Sequence, residues 1–342
     1  MPVAGARMAA EVAEQPAVFD SIVARRGDLT SVADLISARR PRFALLAARG
    51  SSDHAALYAK YLIEVLLQLP AGLVSPSTTT LYGAEPDLSD VLYLSVSQSG
   101  GSPDLVAATE AARARGALTI AVTNTPASPL SDAAELSVDI KAGEELAVAA
   151  TKTYTATLLS LYLLIDAVRG GTGEAVAGLG ELAGQALDVP IDEAVERYRR
   201  IERMVTTGRG YSSATAAEAA LKLAETSYLA ARAYSGADLL HGPVAAIDAD
   251  TGVVAVTSKG RGGEAMRDVV AAVRERGAEV LAVGSGAANV DAGPRIDVPE
   301  TAEEVAPILE VLPLQRLALA LSLTRGEDPD QPRGLNKVTR TL

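Results

Sequence analysis

An internal repeat constrains this chain more than any other feature. Ala48-Arg49-Gly50-Ser51-Ser52, followed by an Ala-rich helical stretch, returns as Gly208-Arg209-Gly210-Tyr211-Ser212 with another such stretch, at an offset of 160 residues. Val96-Ser97-Gln98-Ser99-Gly100-Gly101-Ser102 leads into a helical segment that closes on Arg115-Gly116, then a strand over 118–123. Its counterpart begins at Val256, passes Gly263, closes on Arg276-Gly277 and meets a strand over 280–283, at an offset of 161. Two separate features sharing nearly one offset mean one unit used twice.

Each unit reads strand, Gly/Ser loop, helix, strand, Ser/Gly loop, helix, strand. Residues 43–47, 91–96 and 118–122 are short apolar runs bounded by Gly, Ser, Asn or Pro, with helical segments between them. That alternation predicts right-handed βαβ units and an α/β fold of two tandem doubly wound parallel-sheet domains with a C-terminal tail. The boundaries expected are a helical segment over 1–30, a first domain over 31–170, a linker helix over 171–200, a second domain over 201–324 and a tail over 325–342. Gly170-Gly171-Thr172-Gly173 is the clearest break. Within this scheme 8–26, 174–200, 214–231 and 306–323 read as helical. Ligands of such sheets bind at the carboxyl ends of the strands, beside helix N-termini, and both Ser/Gly loops lie there.

Composition narrows the partners. Apolar residues make up 48% of 342, enough for sizeable cores, and the net charge is -12. An acidic chain is a poor partner for nucleic acid or an anionic membrane, so neither is expected. There are no cysteines and only two histidines, His54 and His241. No disulfide, thiolate nucleophile or Cys/His metal site is expected, and no cofactor. No apolar run of about 18 residues and no basic-then-apolar leader is seen, which reads as a cytoplasmic protein. Only six of the 31 basic residues are lysine (Lys60, Lys141, Lys152, Lys222, Lys259 and Lys337), so some are candidates for work that arginine cannot do.

Ser97-Gln98-Ser99-Gly100-Gly101-Ser102 follows a buried strand and opens a helix at Pro103. Four hydroxyl or amide side chains and several backbone N–H groups converge where the helix dipole favours negative charge, which predicts a phosphate site. Ser51 and Ser52 add hydroxyls from the neighbouring loop. Simple helix capping needs one such residue rather than four. No Walker loop and no G-x-G-x-x-G fingerprint occurs, so neither ATP nor NAD is expected. In the second unit the matching Ser258-Lys259-Gly260-Arg261-Gly262-Gly263 has lost most of its hydroxyls and reads as a degenerate copy.

Glu218, Lys222 and Glu225 stand four and three residues apart, on one face of a helix rich in Ala and Leu. Such a triad is ordinarily a solvated ion-paired face. A buried Glu beside a Lys can instead be tuned for proton transfer. Asp238-Leu239-Leu240-His241-Gly242-Pro243 is a turn-like segment around one of the two histidines, and the tail from Asp328 to Lys337 is polar and patterned.

Together these segments resemble the SIS family of phosphosugar-binding domains, above all the isomerase half of glucosamine-6-phosphate synthase and free-standing SIS-type glucosamine-6-phosphate deaminases and sugar isomerases. The likeness includes Glu14-Gln15-Pro16, Arg49-Gly50-Ser51-Ser52, Ser97-Gln98-Ser99-Gly100, residues 148–152 and 218–225, His241-Gly242-Pro243 and residues 328–337. It implies two flavodoxin-like domains. It implies that Ser52, Ser97, Gln98, Ser99 and Ser102 bind a sugar 6-phosphate, that Glu225 moves a proton between C1 and C2, and that His241 opens the ring, entering from the other subunit of a homodimer. Lys222 and Glu218 then support the base, Val148 adds backbone contacts and Lys337 closes the tail over the substrate. The family's serine after that valine is Ala150 here, which removes one hydroxyl contact. With no Cys, no glutaminase nucleophile is available, and Leu335-Asn336-Lys337-Val338-Thr339-Arg340 resembles the deaminase and isomerase branch. The expectation is a glucosamine-6-phosphate deaminase. The alternatives are a fructosamine-6-phosphate deglycase, a ketose/aldose isomerase without nitrogen loss, or, from another class, a non-catalytic sugar-phosphate sensor.

Overall fold

The computed structural model describes residues 3–337, so the Val338-Thr339-Arg340 end of the tail lies outside the described residues. The chain divides into two compact units. One takes Val18–Glu145, Lys152–Ala177 and the tail from Asn336; the other takes the chain up to Ala17, Leu146–Thr151 and Gly178–Leu335.

The first unit holds five parallel strands, β1 (Phe43–Ala47), β2 (Ala71–Leu73), β3 (Val91–Val96), β4 (Leu118–Thr123) and β5 (Leu136–Asp139), in the order β2-β1-β3-β4-β5. The second holds β6 (Arg203–Gly208), β7 (Ala230–Ser235), β8 (Thr251–Val256), β9 (Glu279–Val283) and β10 (Arg295–Ile296), in the order β10-β9-β8-β6-β7. Read from the other edge, the second order repeats the first. Both are doubly wound, flavodoxin-like sheets. The interior strands β4 and β8 are buried at every position, as strands covered on both faces must be. Core residues Tyr93, Leu105 and Leu130 pack in the first unit, and Val205, Val253, Met266 and Val270 in the second.

The sequence pattern showed three strands per unit, and each sheet has five. The additional strands are edge strands too short or too polar to read as apolar runs. One begins at the end of an expected helix over 214–231. That helix is Ser212–Ser227 and stops where Tyr228 turns left-handed (φ 53°), after which Ala230–Ser235 pairs with β6. The expected helix over 8–26 is two, Ala6–Ala13 and Gln15–Ala24. The segment over 174–200 holds a short turn and two helices, Leu179–Asp188 and Asp192–Tyr198. Helix Ala306–Thr324 is long and apolar enough to cross a bilayer, but 78% of its most apolar window is buried, the position of a core helix.

The register sets the functional edge. Ala47 lies opposite Ser95, and Val96 opposite Val122, so the loops after β1, β3 and β4 leave the sheet side by side. In the second unit Thr207 faces Ala255 and Val256 faces Val283, which repeats the arrangement.

Candidate active site

In the first unit the hydroxyl loop is held by its backbone. The Gln98 carbonyl accepts from Asn124 N–H at 3.1 Å and from the Thr123 hydroxyl at 3.2 Å, and Leu130 N–H donates to the Gly100 carbonyl at 3.0 Å. Gly100 has φ +62°, and a Cβ there would come within 2.1 Å of Ser128 Oγ, so only glycine fits. Inside this frame Gly100 N–H donates to Ser97 Oγ at 3.2 Å, and Gly101 N–H to Ser99 Oγ at 3.3 Å. Both bonds are long and uncharged. Ser102 stands at the N-cap of helix Pro103–Ala114 with extended backbone, and its side chain makes no capping bond. Ordinary capping therefore does not account for the serines. Loop hydroxyls and amides at a helix N-terminus, loosely bonded to one another, suit a tetrahedral dianion that replaces those bonds with charge-assisted ones.

The neighbouring loop is tied to this one. Arg49 pairs with buried Asp104 in the first turn of that helix at 2.7 Å, which brings the Arg49-Gly50-Ser51-Ser52 loop alongside. Ser51 and Ser52 open helix Ser51–Leu66 and are half-buried. Beside them, burial raises the Asp53 carboxyl above its ordinary value, with His54 and Arg49 partly opposing.

Lys337 also belongs to this unit. It pairs at 2.7 Å with Glu145, which is fully buried and also accepts from Thr153 N–H (3.1 Å) and the Thr153 hydroxyl (2.6 Å). Nothing in the sequence marked Glu145, because 192 residues separate it from its lysine.

The second unit holds Glu218, Lys222 and Glu225 on helix Ser212–Ser227. Lys222 Nζ lies 3.6 Å from Glu218 and in close contact with Glu225. The side chains of Glu218 and Lys222 are 0% and 2% exposed, and that of Glu225 is 25% exposed. This is not a solvated face. It is a buried ionic group in which Glu225 is the member that meets solvent. The lysines divide accordingly: Lys60, Lys141 and Lys259 pair with surface acids, whereas Lys222 and Lys337 serve fully buried ones.

Val148, half-buried, lies in the Leu146–Thr151 segment of this unit. That segment is pinned from both ends. The Glu11 carboxylate accepts from Leu146 and Ala147 N–H, and Gln315 donates to the Thr151 carbonyl while accepting from Gln15. His241 caps the short helix Gly236–Leu240 and is exposed, with Gly242 at φ +143° turning the chain into Pro243. Part of the patterned tail is structural: Asp328 and Asp330 accept from the Gly5, Arg7 and Met8 N–H groups at the start of helix Ala6–Ala13. A cavity of about 280 Å³ in the first unit, lined by Leu45, Tyr93, Ala108 and Arg115, contains none of the expected site residues.

Below the second loop, Glu310 is fully buried and accepts from the Ser212 hydroxyl at 3.1 Å and the Thr215 hydroxyl at 3.3 Å. Burial pushes its carboxyl up to about 8; the two hydroxyls pull it back, and nearby Glu303 adds to the rise.

Comparison with known proteins agrees with this fold. The SIS domain model matches residues 38–167 and 198–325. The glutamine–fructose-6-phosphate aminotransferase (isomerizing) of Gloeobacter violaceus is 36% identical over 96% of this chain, which spans 58% of that protein's length. A provisionally named phosphosugar isomerase from Silicibacter pomeroyi has 33% identity and a TM-score of 0.89, over 96% of this chain and 100% of that one. Glucosamine-6-phosphate deaminase from Thermotoga maritima has a TM-score of 0.76 over 98% of this chain and 100% of that one; at 23% identity that likeness shows the fold alone.

Proposed function

This chain belongs to the SIS domain family, and from that premise we propose that it interconverts aldose and ketose forms of a sugar 6-phosphate, with deamination of glucosamine 6-phosphate as its net reaction. The observation that carries this reading is the buried Glu218–Lys222–Glu225 group with Glu225 at its accessible end. A carboxylate held beside an ammonium and open to solvent on one side suits repeated proton transfer.

The Ser97–Ser102 loop, with Ser51 and Ser52, takes the 6-phosphate. Glu225 removes the C2 proton of the open-chain amino sugar. The C2–H electron pair forms C1=C2 while the C1 carbonyl oxygen takes a proton from water and becomes a hydroxyl. The C1=C2 pair takes the proton from Glu225 at C1, the nitrogen lone pair forms C2=N, and water adds at C2. The C2–N bond then breaks to give fructose 6-phosphate and ammonia. Lys222 steadies the Glu225 carboxylate, Glu218 fixes Lys222, and Val148 contributes backbone contacts. Lys337 neutralises the buried Glu145 and brings the tail to the substrate.

His241, exposed on a short helix, opens the sugar ring in the partner site of a homodimer. Mixing inactive Glu225→Gln with inactive His241→Ala then restores about a quarter of the sites, since one site in each hybrid dimer keeps both groups. No recovery on mixing would place His241 in its own chain's site or outside the chemistry.

Ammonia and ketose release from glucosamine 6-phosphate, fructosamine 6-phosphate and nitrogen-free hexose 6-phosphates tests the assignment. Ammonia from glucosamine 6-phosphate supports it. Ketose/aldose exchange without ammonia identifies an isomerase, and binding without turnover of any of them identifies a sensor.

A further inference from the structure

The second Ser/Gly loop ends in a ligand supplied by the chain itself. Arg261 N–H donates to Glu303 Oε2 at 3.0 Å and Gly262 N–H to Glu303 Oε1 at 2.7 Å, at the N-terminus of helix Arg261–Arg274. In the matching loop of the first unit the amides of Gly100 and Gly101 donate instead to Ser97 and Ser99. The cradle fits the carboxylate closely. A Cβ on Gly260 would come within 2.3 Å of Glu303 Oε2, and one on Gly262 within 2.9 Å of Oε1.

Ser258 lies in the same loop. Its hydroxyl is buried and has no hydrogen-bond partner among the described residues. Two convergent amides, an unpaired buried hydroxyl and a helix N-terminus form an anion site with an anion already in it.

We infer that the second loop is a phosphate site closed by the tethered Glu303 carboxylate, which limits the chain to one phosphate per protomer. A carboxylate fixed on the same chain competes at a high effective concentration, so a free dianion does not displace it. Removing the charge leaves the Arg261 and Gly262 amides and the Ser258 hydroxyl open to phosphate, with Lys259 and Arg261 adding positive charge nearby.

The inference goes beyond the proposed activity and shares with it only the reading of the first loop as a phosphate site. Equilibrium dialysis with labelled inorganic phosphate tests it on the full chain. The unmodified protein binds one phosphate. Glu303→Ala and the near-isosteric Glu303→Gln each bind two. Adding Ser97→Ala and Ser99→Ala to either variant removes the first site and leaves the new one. If the unmodified protein binds none while Glu303→Ala binds one, the first-loop reading fails and this inference stands. A count unchanged in both Glu303 variants overturns it, as does a second phosphate that disappears with Ser97 and Ser99.

Discussion

At the edge of the first sheet, the amides of Gly100 and Gly101 rest on serine hydroxyls at 3.2 and 3.3 Å; in the matching loop of the second, those of Arg261 and Gly262 grip a carboxylate at 3.0 and 2.7 Å. The sheets share strand order and register, and both loops open a helix. The difference lies in what satisfies two N–H groups. Neutral hydroxyls at long distance give way to an incoming dianion. A charged, tethered carboxylate does not, because charge-assisted bonds are roughly twice as strong. On the reading proposed above, a duplicated fold has kept one anion site open and filled the other from within. The second unit carries the buried Glu218–Lys222–Glu225 group instead, so on this account one half grips the substrate and the other carries out the chemistry.

The sharpest way to break that division is at its chemical half. Glu225→Gln keeps shape and hydrogen bonding but cannot accept a proton. The expected loss in kcat is near the upper end of about 10²–10⁴, with KM little changed. A loss confined to KM would mean that the second unit also binds and that the contrast is false.

The gripping half comes next. Ser97→Ala with Ser99→Ala removes at least two bonds to a charged ligand, each worth about 1.5–3 kcal/mol, so KM rises by about 10² or more while kcat is largely kept. Steady-state kinetics on both variants separates the two effects.

A third test probes the filled edge of the second sheet through stability. The Glu310 carboxyl has a folded pKa raised to about 8 from an ordinary 4.5. The unfolded chain therefore loses its proton first. The contribution to stability is full below the unfolded value and is lost as pH rises toward about 8, at up to about 1.4 kcal/mol per pH unit. Glu310→Gln stays neutral. In thermal unfolding it should match the unmodified protein near pH 5 and exceed it near pH 8. A difference that does not vary with pH would show that Glu310 is ionised throughout.

The smallest effect is expected at the second loop's surface cations. Lys259 pairs with exposed Glu300, and such pairs contribute about 0–1 kcal/mol. Lys259→Ala should change KM for a sugar phosphate by less than about twofold. A rise comparable to that of the serine variants would show both loops gripping substrate.

Much of this contrast was legible before the fold. The repeat stood out because loop glycines and the Arg-Gly helix ends recur at nearly fixed spacing, and four serine or amide side chains before Pro103 mark a candidate anion site. Spacing put Glu218, Lys222 and Glu225 on one face, while their burial needed the packed helix. Glu303 was illegible: it lies 42 and 41 residues beyond the amides it binds, one among 43 acidic residues, and nothing local distinguishes it. Glu145 was hidden for the same reason. Strand β7 was missed because Ala-rich sequence continues past Ser227 and the left-handed turn falls on a tyrosine rather than a glycine.

The central claim is that the open loop anchors a substrate phosphate while the second unit moves the proton. The ratio of kcat/KM for glucosamine 6-phosphate to that for glucosamine tests it most directly. Three charge-assisted bonds at about 1.5–3 kcal/mol each predict a preference of about 10³ or more for the phosphorylated sugar. Ser97→Ala with Ser99→Ala should erase most of that preference. Equal turnover of the two sugars by the unmodified protein would contradict the account.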